Sequence, residues 1–297
     1  MRFQSRILFA MMLLSPAFAW AIDLQPNDVV APTPDRNFFT ISYYGTENTS
    51  LYRNGSVVSA GRYENPRIEL DSAVVRVARS YELAGLPAIS YVQLGYGSIQ
   101  PAGTLSNVPS GTGVGDLTFA TAIWPYANRE TRTYFAVAGY LTAPTGSYSN
   151  EQPFNYGENR YKFDLQLGFQ KPIIGNLNGM IAVDTMWFGA NNQCGAACLP
   201  YSNASLSQKP LTTVQLGPVY KINDTFTVGA SYFYVTGGET SINSIDQNNV
   251  VSTQRFLLSA QAYTAIGRFT LQYGRDIEAT NGFFQGRLLA LRYLTEF

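Results

Sequence analysis

The sequence predicts an all-β fold, a transmembrane antiparallel up-and-down β-barrel of about twelve strands behind a cleaved signal peptide. Three observations predict it. Apolar and polar residues alternate with period two in segments that recur from residue 37 to the last residue. Short and long connections between those segments alternate along the chain. Charged residues make up only 13% while hydrophobic residues stand at 45%, and that charge is about half of what a soluble protein carries. An apolar outside around a moderately polar inside accounts for all three.

The leader comes first. Arg2 and Arg6 precede an apolar run from Ile7 to Leu14, which Ser15 and Pro16 interrupt. The run is too short to cross a bilayer, and Ala17-Phe18-Ala19 or Ala19-Trp20-Ala21 supplies a small-x-small cleavage site. Residues 1–21 are therefore expected to be the signal peptide, leaving Ile22 as the first mature residue. Losing two of the 20 basic residues leaves 18 against 20 acidic ones, which gives no basic footprint for nucleic acid. Residues 22–36 contain Pro26, Pro32 and Pro34 and read as an irregular arm, lying in the periplasm or plugging the barrel.

Residues 37–297 form the expected barrel. The predicted strands are 37–44, 68–81, 87–97, 115–124, 131–142, 157–170, 179–189, 211–221, 224–235, 253–265, 268–277 and 285–297. Twelve is an even number, as single-chain bacterial barrels require. Alternation is clearest between residues 160 and 169. Tyr161, Phe163, Leu165, Leu167 and Phe169 point one way; Arg160, Lys162, Asp164 and Gln166 point the other.

Connections at 82–86, 125–130, 172–178, 222–223 and 266–267 are short. Those at 45–67, 98–114, 143–156, 190–210 and 236–251 are longer, with a shorter one at 278–284. Outer-membrane barrels have short periplasmic turns and longer extracellular loops, so both termini are expected in the periplasm of a Gram-negative cell. Gly111-Thr112-Gly113-Val114-Gly115 is rich in glycine, but a strand follows it rather than the helix a phosphate loop needs, so it reads as a loop. In the last strand Leu289, Leu291, Tyr293 and Thr295 alternate up to a terminal Phe297. This resembles the signal read by the barrel-assembly machinery, an expected partner together with outer-membrane lipid.

The chain has no histidine. That removes Ser-His and Cys-His catalysis and the commonest metal ligand, so we expect no enzyme, no cofactor and no metal. Asp164 and Asp184 have the chemistry for glycoside cleavage; the stronger reading is that both face the lumen and pair with Lys162 or an arginine. Cys194 and Cys198 sit in a long loop with no further Cys or His to complete a metal site, which reads as a local disulfide. Parity places Arg76, Asp116, Arg160, Lys162, Asp164, Asp184, Arg255, Arg268, Gln272 and Arg292 on the inner face. These line a conduit for a small organic solute, or else they fill and stiffen a barrel too narrow to conduct. Tyr43, Tyr91, Tyr140, Tyr161, Tyr232, Tyr273 and Tyr293 are expected in interfacial girdles.

Several motifs carry a family resemblance. The start Ile22-Asp23-Leu24-Gln25-Pro26, with Ala31-Pro32, Asn37-Phe38 and Tyr43-Tyr44, resembles that of proteobacterial barrels named for the meta-pathway of phenol degradation. Gly113-Val114-Gly115-Asp116-Leu117, Pro144-Thr145-Gly146-Ser147-Tyr148 and Asn155-Tyr156-Gly157-Glu158-Asn159-Arg160-Tyr161-Lys162 resemble its central motifs. The resemblance implies an outer-membrane protein encoded near aromatic-degradation genes and passing hydrophobic substrates. It assigns no catalytic or binding residue. The expected function is passive uptake of small hydrophobic or aromatic molecules. The competing expectation is a non-conducting structural or adhesive barrel acting through its outer loops.

Overall fold

The computed structural model describes residues 23–59, 61–199, 201 and 204–297. The predicted signal peptide lies outside the described residues. Twelve strands make the wall: β1 (Asn37–Arg53), β2 (Pro66–Leu83), β3 (Leu86–Gly103), β4 (Leu117–Asn128), β5 (Thr133–Ala143) and β6 (Lys162–Ile174), followed by β7 (Leu177–Phe188), β8 (Leu211–Lys221), β9 (Phe226–Gly237), β10 (Val251–Thr264), β11 (Gly267–Ala279) and β12 (Gly282–Glu296). Each pairs antiparallel with its sequence neighbours, and β1 pairs with β12 from Phe38↔Glu296 to Tyr52↔Gly282. The ring is closed, so no edge strand is left with unpaired backbone groups, the condition for standing in lipid.

Side-chain alternation sets the two faces. On β6, Phe163, Leu165 and Leu167 are 46%, 40% and 43% exposed, while Asp164 and Gln166 are 2% and 3% exposed. The apolar set therefore meets lipid and the polar set is turned inward. Ile41, Val75, Val92, Phe119, Leu141, Ile181, Leu271, Leu289 and Leu291 repeat the exposed apolar face on other strands.

The turns at one end are short. Residues 84–85 link β2 to β3 with positive φ at Ala84 (52°) and Gly85 (79°), the backbone that a two-residue hairpin turn requires. Connections at the other end are long, apart from 280–281. Strands β1, β2 and β3 run to 17, 18 and 18 residues, well beyond the roughly 9–11 a tilted strand needs to cross a bilayer. The sequence placed their ends too early at this side. A ladder outside lipid needs backbone pairing but no apolar face, so its strands lose the alternation that marks them. For the same reason Gly111–Val114, read as loop, is a short strand on β3.

The long connections are structured. Leu51, Tyr63, Ile68, Ile99, Leu105 and Phe154 form one apolar cluster at that end. A second holds Cys194, Cys198, Ala204, Leu206 and Ile242, beneath a small sheet of Leu206–Gln208, Thr240–Ile242 and Ile245–Asp246. Cys194 and Cys198 are bonded to each other, with Cα atoms 5.6 Å apart.

Candidate functional site

The arm ahead of β1 lies inside the barrel. Its backbone is held by Gln215, which accepts from Leu24 N at 3.0 Å and donates to Leu24 O at 2.8 Å. Gln25 donates to Gln272 at 3.0 Å. Trp124 Nε1 donates to Val29 O at 2.7 Å, and Val29 packs into a cluster with Trp124, Tyr134, Ala136 and Met180. Charges also match. Asp23 pairs with Arg255, and Asp28 lies 3.5 Å from Arg268 and 3.8 Å from Arg292. A charge-assisted pair in a partly dry lumen holds more firmly than a neutral bond.

Two chambers flank the arm. The one on the long-loop side has a volume of about 240 Å³ and is lined by Tyr44, Tyr91, Tyr156, Asp116, Glu158 and Lys162, among others. The one on the short-turn side has about 220 Å³, with Trp124, Tyr140, Asp28 and Arg268 in its wall. Asp23, Arg76, Tyr91 and Arg292 line both chambers. They mark where the two meet.

A loop closes over the first chamber. Asp116 accepts the backbone N–H of Gly146 at 2.8 Å and of Glu158 at 2.9 Å, while burial pushes its carboxyl up against the pull of those donors. Glu158 accepts from Arg160 at 2.7 Å and from Lys162 at 2.5 Å. Burial would raise the Glu158 carboxyl, but the two cations outweigh it and hold it down at about 2. Backbone contact explains the glycines in these motifs: a Cβ on Gly157 would stand 2.8 Å from the carbonyl carbon of Gly146.

The ten candidate lumen residues divide. Arg76, Asp116, Lys162, Gln272 and Arg292 line the first chamber, and Arg76, Arg268 and Arg292 the second. Arg255 lies within the lumen on Asp23, its guanidinium 4.2 Å from the Phe233 ring centre. Arg160 belongs to the loop, since β6 starts at Lys162 rather than residue 157; its guanidinium sits 4.6 Å from the Phe188 ring centre. Asp164 and Asp184 are buried on β6 and β7 and line neither chamber, which leaves a glycoside no access to them. Nor does Lys162 pair with Asp164, as expected from the sequence. Its ammonium bonds Glu158, which folds back above the strand.

Two of the seven tyrosines assigned to girdles face inward. Tyr91 lines both chambers, and its ring lies 6.3 Å from that of the buried Tyr140. Parity carried the signal: Val92 and Leu141 beside them are exposed, so Tyr91 and Tyr140 must point to the other face. Tyr43, Tyr161 and Tyr273 are exposed on the outside, and Tyr232 and Tyr293 are half-buried. Asp23, Asp28, Glu158 and Trp124 were not singled out as site residues, although Asp23 and Glu158 lie in the motifs that carry the family resemblance.

A family model described as "Putative MetA-pathway of phenol degradation" matches residues 53–293. The chain belongs to that family. Among solved structures, an outer membrane channel from Pseudomonas putida F1 is similar at 26% identity and a TM-score of 0.86, covering 93% of this chain and 100% of that one. The β domain of the Bordetella autotransporter BrkA, at 9% identity, TM-score 0.49 and 89% and 100% coverage, is too distant to bear on function. So is the KdgM porin, at 10%, 0.44 and 87% and 99%. No curated protein matches in sequence. The member of the phenol-degradation family described here is thus an outer-membrane barrel of the channel kind, not an enzyme.

Proposed function

We propose that this barrel lets small organic molecules, hydrophobic or aromatic, diffuse passively into a Gram-negative cell, with both its termini in the periplasm. One observation carries the reading: two chambers stand in line through the lumen and share Asp23, Arg76, Tyr91 and Arg292 at their junction. Their walls mix aromatic rings and aliphatic side chains with charged and polar groups. The family name and the channel from Pseudomonas putida F1 support the same reading. Lipid around the wall and the assembly machinery acting on the last strand, through Leu289, Leu291, Tyr293 and Phe297, complete the partners.

Purified protein in planar bilayers should give discrete conductance steps, and proteoliposomes should take up benzyl alcohol faster than empty ones. Silence in both assays, with the barrel folded, overturns the proposal. The arm crossing the lumen favours a second reading, a non-conducting barrel that works through its outer loops. In that case removing residues 189–210 abolishes surface binding and leaves uptake at the empty-liposome rate.

A further inference from the structure

The lumen arginines do not share carboxylates evenly. Arg160 has Glu158, Arg255 has Asp23, and Asp28 is divided between Arg268 and Arg292. Among the described residues Arg76 has no carboxylate partner. Its Nε and Nη2 donate to the neutral Gln93 Oε1 at 3.0 and 2.7 Å, and its guanidinium lies 4.0 Å from the Tyr91 ring centre. Where the chambers meet, the two acids of the arm, Asp23 (held by Arg255) and Asp28, gather with three further guanidiniums. Those three stand on β2, β11 and β12, and Asp164 and Asp184 stand on the opposite arc, on β6 and β7.

The register brings two of these cations to one place. Thr40 on β1 pairs with Arg76, and Ser42 pairs with Arg292, so the two arginines flank β1 from either side, one step of the pleat apart. Arg292 donates weakly to Ser42 Oγ at 3.3 Å and Tyr44 Oη at 3.4 Å. A cation taken out of water with only neutral partners is costly, and an anion that pairs with it recovers that cost. A guanidinium presents parallel N–H groups that match a carboxylate in particular. Leu70, Val74, Ile99 and Leu257 make an apolar patch of the pocket beside the rings of Tyr44 and Tyr91, while its acids Asp116 and Glu158 are taken up by backbone N–H groups and by Arg160 and Lys162. A dry cavity of about 150 Å³ holds benzene. The 240 Å³ of the first chamber therefore has room for one substituted ring.

We infer that the junction of Arg76, Arg292, Tyr44 and Tyr91 is a binding step selective for single-ring aromatic monocarboxylates. The inference rests on the solute-channel reading and narrows it. The carboxylate meets Arg76 and Arg292, and the ring lies in the first chamber against the tyrosines. A neutral ring of the same size meets the same walls without the ionic contact.

The test uses the full-length protein, folded in detergent for binding and in liposomes for uptake, with benzoate and benzyl alcohol as probes. Benzoate should bind by calorimetry and benzyl alcohol should bind at least about tenfold more weakly, the span of a hydrogen bond to a charged group. Arg76→Gln should cost benzoate about tenfold in affinity relative to benzyl alcohol measured on the same variant, and Arg76→Lys should recover part of the loss. A folded Arg76→Gln protein with unaltered benzoate binding overturns the inference, as does a wild-type protein that binds no benzoate. Uptake of both probes at equal rates in wild type and Arg76→Gln overturns the selectivity and leaves the channel standing. Arg76-dependent benzoate binding with no uptake of either probe upholds the site and overturns the channel.

Discussion

Replacing Val29 by aspartate should free the arm and widen the conduit without unfolding the barrel. Val29 is 1% exposed, wedged beside Trp124 and against Gly168, where an added Cβ would stand 3.1 Å from a Val29 methyl. Burying a valine side chain contributes about 1.5–3 kcal/mol. An aspartate there loses that and adds a desolvation cost of several kcal/mol for an unpaired carboxylate. Single neutral hydrogen bonds such as those from Gln25 and Gln215 contribute only about 1 kcal/mol each, so the substitution outweighs the nearest anchors. The wall itself is closed by β1 on β12 and by β1 on β2, pairings that involve no arm residue. Planar-bilayer recording of Val29→Asp should show a larger unitary conductance than wild type. Limited proteolysis should cut within 23–31, and the barrel should keep its heat-dependent gel shift. An arm that is cut freely while conductance stays at the wild-type value would refute the claim that the arm sets the constriction.

Three further outcomes follow from the loops and the lipid face. Glu158→Gln orphans Arg160, whose side chain is 1% exposed; breaking such a pair costs about 3–5 kcal/mol and should raise hydrogen exchange across 144–161. The Glu158 carboxyl, held at about 2 from an ordinary 4.5, contributes roughly 3 kcal/mol that is complete above about pH 4.5 and lost as pH falls toward 2, so wild-type loop protection should fade in that window and the Glu158→Gln loop should show no such step. Cys198→Ser opens a staple of sequence separation 4, worth about 2 kcal/mol by chain entropy; loop proteolysis near 189–210 should speed up while the gel shift is unchanged. Leu165→Arg on the lipid face should destabilise the folded barrel by about 2–4 kcal/mol in urea titration, and an effect near zero would mean that Leu165 does not face lipid.

The wall was legible because the bilayer imposes a rule at every second residue. Phe163, Leu165 and Leu167 against Lys162, Asp164 and Gln166 obey it, and all twelve strands were found from such segments and from the alternation of turn lengths. Where lipid stops, the rule stops, and the outer parts of β1, β2 and β3 were read as loop. Tyr91 and Tyr140 were misplaced because nearness to a strand end was given more weight than parity. The arm was visible as a Pro-containing segment, but its seat was not. Leu24 meets Gln215 191 residues away, Gln25 meets Gln272 247 away, and Asp23 meets Arg255 232 away. No local pattern encodes contacts of that range. Glu158 shows the same limit, since the bend that returns it to Arg160 and Lys162 depends on Asp116 in another connection, which accepts from the backbone of both Gly146 and Glu158.

The arm and the wall are parts of one electrostatic structure. Arg255, Arg268 and Arg292 project inward from β10, β11 and β12, and their acids, Asp23 and Asp28, are carried by the arm. A lumen built from these strands alone would hold three guanidiniums with no carboxylate in contact, a costly arrangement unless water filled it. Docking the arm neutralises the wall and narrows the path at the same time, so constriction and charge are set by the same residues. Arg76 stands outside this arrangement, on β2, with Gln93 and Tyr91 for partners. Among the lumen arginines of the described residues, it is thus one whose charge the fold leaves without an acid.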